Sequence, residues 1–314
     1  MKMPKLLRVG DTVAVLATSG PVVASRLEAG IEVLRRMGLR PWVMDSCHAT
    51  HEFLAGTDDM RIRDLHTAFA SPKVAGIFVA RGGYGAARLL GGLNYDLIAA
   101  NPKVFVGYSD VTALHVVFNQ VCGFVTFHGP MPASDFYDGG NAFTVKALSR
   151  MIFEVTPDDG LAAPLGKWRR GPHEGLLANP PGQPLVTIVP GVARGPLVGG
   201  NLCLLAASLG TPYEVDTRGR VLFLEETGED AYRVDRMLLQ LKQAGKLRDA
   251  AGIVLGDFGP QTLTTLAMPI RELIATEKKP TLGGLACGHI SPTLTLPLGA
   301  EVVLDATRPT IISR

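Results

Sequence analysis

Phe105-Val106-Gly107-Tyr108-Ser109-Asp110-Val111-Thr112 is a short apolar run that meets a glycine, then a serine, then residues able to open a helix. Strands that turn sharply into helices are the units of parallel α/β sheets, where the loops at strand C-termini carry the chemistry. Such a turn exposes the Ser109 hydroxyl and leaves the next backbone N–H groups unpaired, so a nucleophile and half an oxyanion hole can come from one element. The stretch matches part of the G-x-S-x-G elbow, with Val111 where the second glycine would stand. The same serine also suits a plain helix N-cap.

The neighbouring segments repeat this alternation. Residues 12–18 (TVAVLAT), 40–45, 74–80 (VAGIFVA), 104–107 and 124–127 read as strands. Between them, Leu27, Ile31 and Leu34 share a helical face that ends at Gly38, and Ile62, Leu65 and Phe69 share another in a helix capped by Asp58. The pattern predicts an α/β fold: an N-terminal α/β domain, residues 1–157, with a Rossmann-like, mostly parallel sheet bearing the nucleophile. Residues 158–190 are rich in proline and glycine (PDDG, AAPLG, RRGPHEG, ANPPGQP) and read as an interdomain segment. A smaller β-rich C-terminal domain, residues 191–314, follows. The strands of this second unit are expected at 185–189, 195–198, 221–225 (VLFLE), 252–256 (GIVLG), 301–305 and 310–313. A helix should start at Asn201, and Val234, Leu238 and Leu241 mark the apolar face of another.

At 314 residues the chain is long enough for two domains, and its 46% apolar content is ample for two cores. A net charge of +2 without a basic block disfavours nucleic acid and favours a small, roughly neutral partner. The N-terminal residues lack the apolar core of a signal peptide, and no apolar run reaches membrane-spanning length. Cys47, Cys122, Cys203 and Cys287 are far apart and form no C-x-x-C pair, which argues against a metal or redox site and for a reducing, cytoplasmic setting. Neither a cofactor nor a metal is expected.

Three further segments carry chemical groups. Arg81-Gly82-Gly83-Tyr84-Gly85 follows a strand directly, and its glycine pair would let backbone N–H groups approach an anion; a tight turn with no ligand is the plainer alternative. A dinucleotide site fits poorly, because Arg88 stands where G-x-G-x-x-G needs glycine. Glu225, Glu226 and Glu229 cluster at the end of the VLFLE run; Glu225 is nearest the buried part and best placed to orient a histidine or hold a cationic group of a substrate, while Glu229 and Asp230 suit the start of the next helix. Among the histidines, His115 should point into packing, His128 sits at a strand end, and His289 lies in a glycine-bounded loop, where function is more common than packing.

Taken together, these segments resemble the LD-carboxypeptidase family of serine peptidases. The resemblance is carried by Ala17-Thr18-Ser19-Gly20-Pro21, Phe53-Leu54-Ala55-Gly56-Thr57-Asp58, the R-G-G-Y-G turn, the block from Gly107 to His115, and His128-Gly129-Pro130. It continues through Gly199-Gly200-Asn201-Leu202, Gly210-Thr211-Pro212, Phe223-Leu224-Glu225-Glu226, Tyr232-Arg233-Val234-Asp235-Arg236, Gly288-His289 and Thr295-Leu296-Pro297-Leu298-Gly299. Thr18 stands where the family often has proline, which touches a turn and no chemistry. The resemblance implies a Ser109, Glu225, His289 triad and an oxyanion hole from the backbone N–H of Asp110 and one of the R-G-G turn, assigned to Gly83. It also implies a metal-independent enzyme that cuts murein tetrapeptides between meso-diaminopimelate and terminal D-alanine in peptidoglycan recycling. Arg81, Gly82 and Tyr84 are then expected beside the substrate, with the R-G-G-Y-G turn or a nearby arginine as the partner of its terminal carboxylate. A homodimer is the expected assembly. The nearest alternative resembles the microcin C immunity proteins, hydrolases of peptidyl or aminoacyl-nucleotides; these would need an aromatic surface for the base, and Trp42 and Trp168 fall in no matching block. A catalytically silent binding protein and a nicotinamide enzyme fit less well.

Overall fold

The computed structural model describes residues 1–157, 168–170 and 175–313. The chain divides into two compact units, Met1–His173 and Glu174–Arg314.

In the first unit β1 (Thr12–Leu16), β2 (Arg40–Val43), β3 (Val74–Val79), β4 (Val104–Gly107) and β5 (Thr126–His128) lie in the order β5-β4-β3-β1-β2, every pair parallel. The central strands are buried along their length, as strands covered on both faces must be, which is why they read as continuous apolar runs. The crossovers are helical: α1 (Ala24–Arg36), α2 (Asp58–Ala70), α3 (Tyr95–Ala100) and α4 (Thr112–Gln120). Leu27, Ile31 and Leu34 bury the inner face of α1. Phe69 of α2 packs edge-on against Phe118 and Phe124 and stacks with Phe105, an aromatic cluster that fixes α2 and α4 against β4. The cap of α2 is Thr57 and not Asp58: Thr57 has extended backbone and its hydroxyl accepts the Met60 N–H at 3.3 Å. Asp58 is the first helical residue, where its charge favours the helix N-terminus, and it pairs with Arg61 and Arg88. After β5 come α5 (Pro132–Asp135), α6 (Ala142–Ile152) and a hairpin of β6 (Val155–Pro157) with β7 (Trp168–Arg170).

In the second unit eight strands form one mixed sheet, in the order β8-β16-β15-β10-β11-β12-β13-β9. They are β8 (Gly175–Leu176), β9 (Val186–Val189), β10 (Val192–Asn201), β11 (Val221–Glu225), β12 (Gly252–Leu255), β13 (Thr281–Gly283), β15 (Glu301–Asp305) and β16 (Thr310–Ser313), with β14 (Leu296–Leu298) a further short strand. The pairs from β10 to β13 are parallel and the outer four antiparallel. The long β10 joins the two regimes, running antiparallel to β15 through Val192–Pro196 and parallel to β11 through Leu197–Asn201. Helix α7 (Leu202–Ala207) connects β10 to β11, and α8 (Ala231–Gln243) with α9 (Lys246–Asp249) connects β11 to β12; Val234, Leu238 and Leu241 are the buried face of α8. Of the expected Pro/Gly-rich segment, residues 158–167 and 171–174 lie outside the described residues, while 175–190 carry β8 and β9, the two edge strands of this sheet. No helix among the described residues is long and apolar enough to cross a membrane.

Candidate active site

Ser109 sits at the turn from β4 into α4 with φ +64°, in the left-handed region that a non-glycine residue rarely enters. Tyr108 before it is extended, and a single 3-10 turn, Ser109–Val111, leads into the helix. A half-buried serine held in this conformation is the geometry of a nucleophile elbow, in which strain turns the hydroxyl out of the sheet.

The R-G-G turn after β3 comes up against this serine. A Cβ added to Gly82 would lie 2.9 Å from Ser109 Cβ and 3.0 Å from Oγ, so a glycine is required there for the hydroxyl to have room. The carbonyl of Gly82 accepts from the N–H of Gly20 and from Arg81 Nε, each at 3.2 Å. Because the peptide is trans, the N–H of Gly83 points the opposite way, away from Gly20 and Arg81. Among the described residues neither the Gly83 N–H nor the Asp110 N–H meets an acceptor. Arg81 also directs Nη1 to the carbonyl of Pro21, 3.1 Å away. Tyr84 is exposed and lies 5.7 Å, ring to ring, from exposed Phe53.

Beneath the turn is a set of buried polar groups. The Asp110 carboxylate accepts the Ser19 hydroxyl at 2.6 Å and the Ala86 N–H at 2.8 Å. Burial pushes its pKa up, and those two donors with nearby Arg61 push it back. Arg61, fully buried, donates to the carbonyls of Thr18 and Gly85 and pairs with Asp58. Ser19, Arg61 and the Asp110 side chain are absent from the sequence expectation, since contacts between segments 24 to 91 residues apart leave no local pattern. His115 is packed, as its place on the helix suggests: Nε2–H donates to the Gly107 carbonyl and Nδ1 accepts from Thr126 Oγ1, both at 2.8 Å. Full burial lowers its pKa to about 4, so it stays neutral. His128, at the end of β5, is buried beside Tyr108.

In the second unit Glu225 ends β11 and is fully buried, and the Nδ1–H of His289 donates to its Oε2 at 2.7 Å. Burial raises the Glu225 pKa and His289 opposes that rise. With the Nδ1 proton donated to the carboxylate, the ring is the tautomer whose lone pair sits on Nε2. Gly288 makes the approach possible, because its φ is +127° and a Cβ there would fall 2.8 Å from Glu225 Oε2. Glu226 does different work: Oε1 accepts from Asn201 Nδ2 and the Thr227 N–H, and Oε2 accepts the Cys203 N–H at the start of α7. Asp257, just past β12, is a second carboxylate near His289 and was not anticipated; burial raises its pKa, and the Gly259 N–H and His289 lower it. The signal for it is a glycine and aspartate directly after an apolar strand, Leu255-Gly256-Asp257. Among the described residues no three His, Cys, Asp or Glu side chains gather as a metal site would require.

Two family models match the chain, the LD-carboxypeptidase N-terminal domain over residues 13–129 and the LD-carboxypeptidase C-terminal domain over residues 194–304. A probable murein peptide carboxypeptidase of Bacillus subtilis is 38% identical over 98% of this chain and 93% of its own. Among solved structures, a muramoyltetrapeptide carboxypeptidase from Oxalobacter formigenes is 31% identical, with a TM-score of 0.78 over 96% of this chain and 97% of that one. An MccF-like protein from Bacillus anthracis has a TM-score of 0.86 at 26% identity, covering 100% of this chain and 99% of that one.

Proposed function

This chain belongs to the LD-carboxypeptidase family, and from that membership we propose that it is a metal-independent serine peptidase releasing terminal D-alanine from murein tetrapeptides. The observation that carries this reading is the left-handed Ser109 at the end of β4, inside the region that the N-terminal family model matches. His289, oriented by Glu225, takes the proton of Ser109 Oγ as the oxygen attacks the carbonyl carbon of the bond between meso-diaminopimelate and D-alanine. The N–H groups of Gly83 and Asp110 hold the oxyanion of the tetrahedral intermediate. The C–N bond then breaks, His289 gives its proton to the departing amine, and an ester on Ser109 remains. Water, deprotonated by His289, attacks the ester and returns the serine. Gly82 and Tyr84 lie beside the substrate in this reading. No step needs an electron or a metal-bound hydroxide.

Ser109→Ala should fold normally and lose at least about a thousandfold in kcat, because no ester can form. D-alanine release from a defined tetrapeptide measures this, and activity within about tenfold of wild type would refute the assignment. Turnover should also survive exhaustive chelation; a loss restored by zinc would show that a metal takes part. The same reading makes the protein a cytoplasmic homodimer acting in cell-wall peptide recycling, to be checked by fractionation and sedimentation.

The exposed Phe53–Tyr84 pair favours one second reading, hydrolysis of an aminoacyl-nucleotide, since it supplies aromatic surface that a base could use. An aminoacyl-adenylate mimic in the same assay decides between them.

A further inference from the structure

The turn after β1, Ser19-Gly20-Pro21, carries no group that the proposed reaction consumes, yet it touches the Gly82–Gly83 peptide and the side chain of Asp110, on either side of the assigned oxyanion hole. The Gly20 N–H and Arg81 Nε converge on the Gly82 carbonyl, and Arg81 Nη1 reaches across to the Pro21 carbonyl, so one guanidinium ties the two loops together. On the other side the Ser19 hydroxyl donates to the Asp110 carboxylate, which also holds the Ala86 N–H at the far end of the R-G-G-Y-G loop. The loop is thus fastened at both ends, and near one of them Gly82 lies against Ser109.

We propose that this turn is a brace for the oxyanion hole, and that Arg81 and Ser19 are positioning residues that hold the Gly83 and Asp110 N–H groups in donor orientation. The inference rests on the serine-peptidase reading above and deepens it. A free peptide after a glycine pair can rotate by a half turn at small cost, which would present the Gly82 carbonyl in place of the Gly83 N–H. Two donors on that carbonyl make the flipped state lose two hydrogen bonds. Asp110 cannot rotate either without leaving its buried carboxylate short of partners. Arg81 was expected beside the substrate; Nε and Nη1 are engaged by backbone carbonyls, and in this proposal Arg81 acts through the loop that those bonds hold.

The test compares wild type, Arg81→Ala, Arg81→Lys and Ser19→Ala on a murein tetrapeptide and on the same peptide with a C-terminal amide, with kcat and KM separated and folding followed by thermal melting. A positioning role predicts kcat lowered about ten- to a hundredfold in Arg81→Ala, part of what removing one oxyanion donor costs. KM should stay within about threefold, since binding of the ground state is untouched. Arg81→Lys should recover part of the loss, because an ammonium reaches one carbonyl but not both. Ser19→Ala should fall in the same direction, and all variants should keep the wild-type preference for a free carboxylate over an amide. A raised KM with kcat unchanged, or loss of that preference, would make Arg81 a substrate ligand and overturn the brace. Normal kinetics in every variant would overturn it too. Should Arg81→Ala fail to fold, Arg81→Lys and Ser19→Ala carry the test. Ser109→Ala separates the two levels: its retained turnover would defeat the serine-peptidase reading, whereas its silence beside normal Arg81 and Ser19 variants would defeat the brace alone.

Discussion

At the end of β4 a hydroxyl is held by backbone: Ser109 takes φ +64°, Gly82 leaves it room, and the surrounding peptides are tied carbonyl by carbonyl. At the end of β11 a histidine is held by a buried side chain, Glu225, across a single hydrogen bond of 2.7 Å. Both places are strand C-termini in parallel parts of their sheets, where strand polarity delivers loops to one edge. The difference lies in what can fail. Backbone placement is sensitive to added volume and indifferent to charge, while a buried carboxylate is sensitive to charge and tolerant of an isosteric change in shape.

The largest effect separating the two should come from Glu225→Gln, which preserves shape and removes charge. An amide N–H aimed at Nδ1 would favour the other tautomer and put a proton on Nε2, the nitrogen that the proposed mechanism uses as base. Loss on the order of 10⁴-fold in kcat follows when a triad carboxylate becomes an amide. The variant should melt no lower than wild type, because a buried ionisable group has been replaced by a neutral one. Activity within about tenfold would mean that Glu225 does not orient the base, and the comparison would lose its second half.

Gly82→Ala breaks the comparison from the other side by adding one methyl and no charge. Its Cβ would fall 2.9 Å from Ser109 Cβ and 3.0 Å from Oγ, so the serine or the turn must shift. Displacement of a reacting atom by about 1 Å costs roughly a hundredfold. D-alanine release at saturating tetrapeptide, measured from pH 6 to 9, should fall by that order with an unchanged pH profile. A changed profile with an unchanged maximum would show that the turn acts through protonation after all.

These two halves were not equally legible in the sequence. The strand ends themselves stood out, because runs such as VFVG and VLFLE are continuous apolar stretches that strands buried on both faces produce. Glu225 could be told from Glu226 by its place in the buried run, and the structure gives Glu226 the separate task of binding the first turn of α7. The left-handed φ of Ser109 could not be read, since Val111 in place of the second glycine weakens the elbow pattern. Nor could the roles of Ser19, Arg61 and Asp110, whose partners are carbonyls, N–H groups and carboxylates in distant segments. Strand β13 is three residues long, too short for a period to show, and the second sheet is more parallel in its middle than a β-rich pattern suggests. The cap of α2 was misassigned by one residue because threonine and aspartate both suit an N-terminus, and only backbone conformation distinguishes cap from first turn.

The smallest of these effects sharpens the comparison between the two packed histidines. His115 in the first unit meets a carbonyl and a threonine hydroxyl, whereas His289 in the second meets a carboxylate; neutrality suits the first environment, and a proton can be accommodated in the second. With its pKa lowered to about 4 by burial, His115 remains neutral in the folded protein at pH 5 while an unfolded histidine, near 6.5, takes up a proton. The unfolded state therefore binds more protons between those values, and stability must rise with pH there. Stability from this site is complete above about pH 6.5, falls as the pH drops, and is lost by roughly 2 kcal/mol at pH 5. His115→Gln keeps a donor near the Gly107 carbonyl and cannot titrate. Urea unfolding at pH 7 and pH 5 should show the variant less stable at neutral pH, from imperfect packing, but with a pH dependence shallower by about 2 kcal/mol than wild type. An equally steep dependence in the variant would mean that the acid lability lies elsewhere, with His66, whose pKa burial also lowers, the next group to replace.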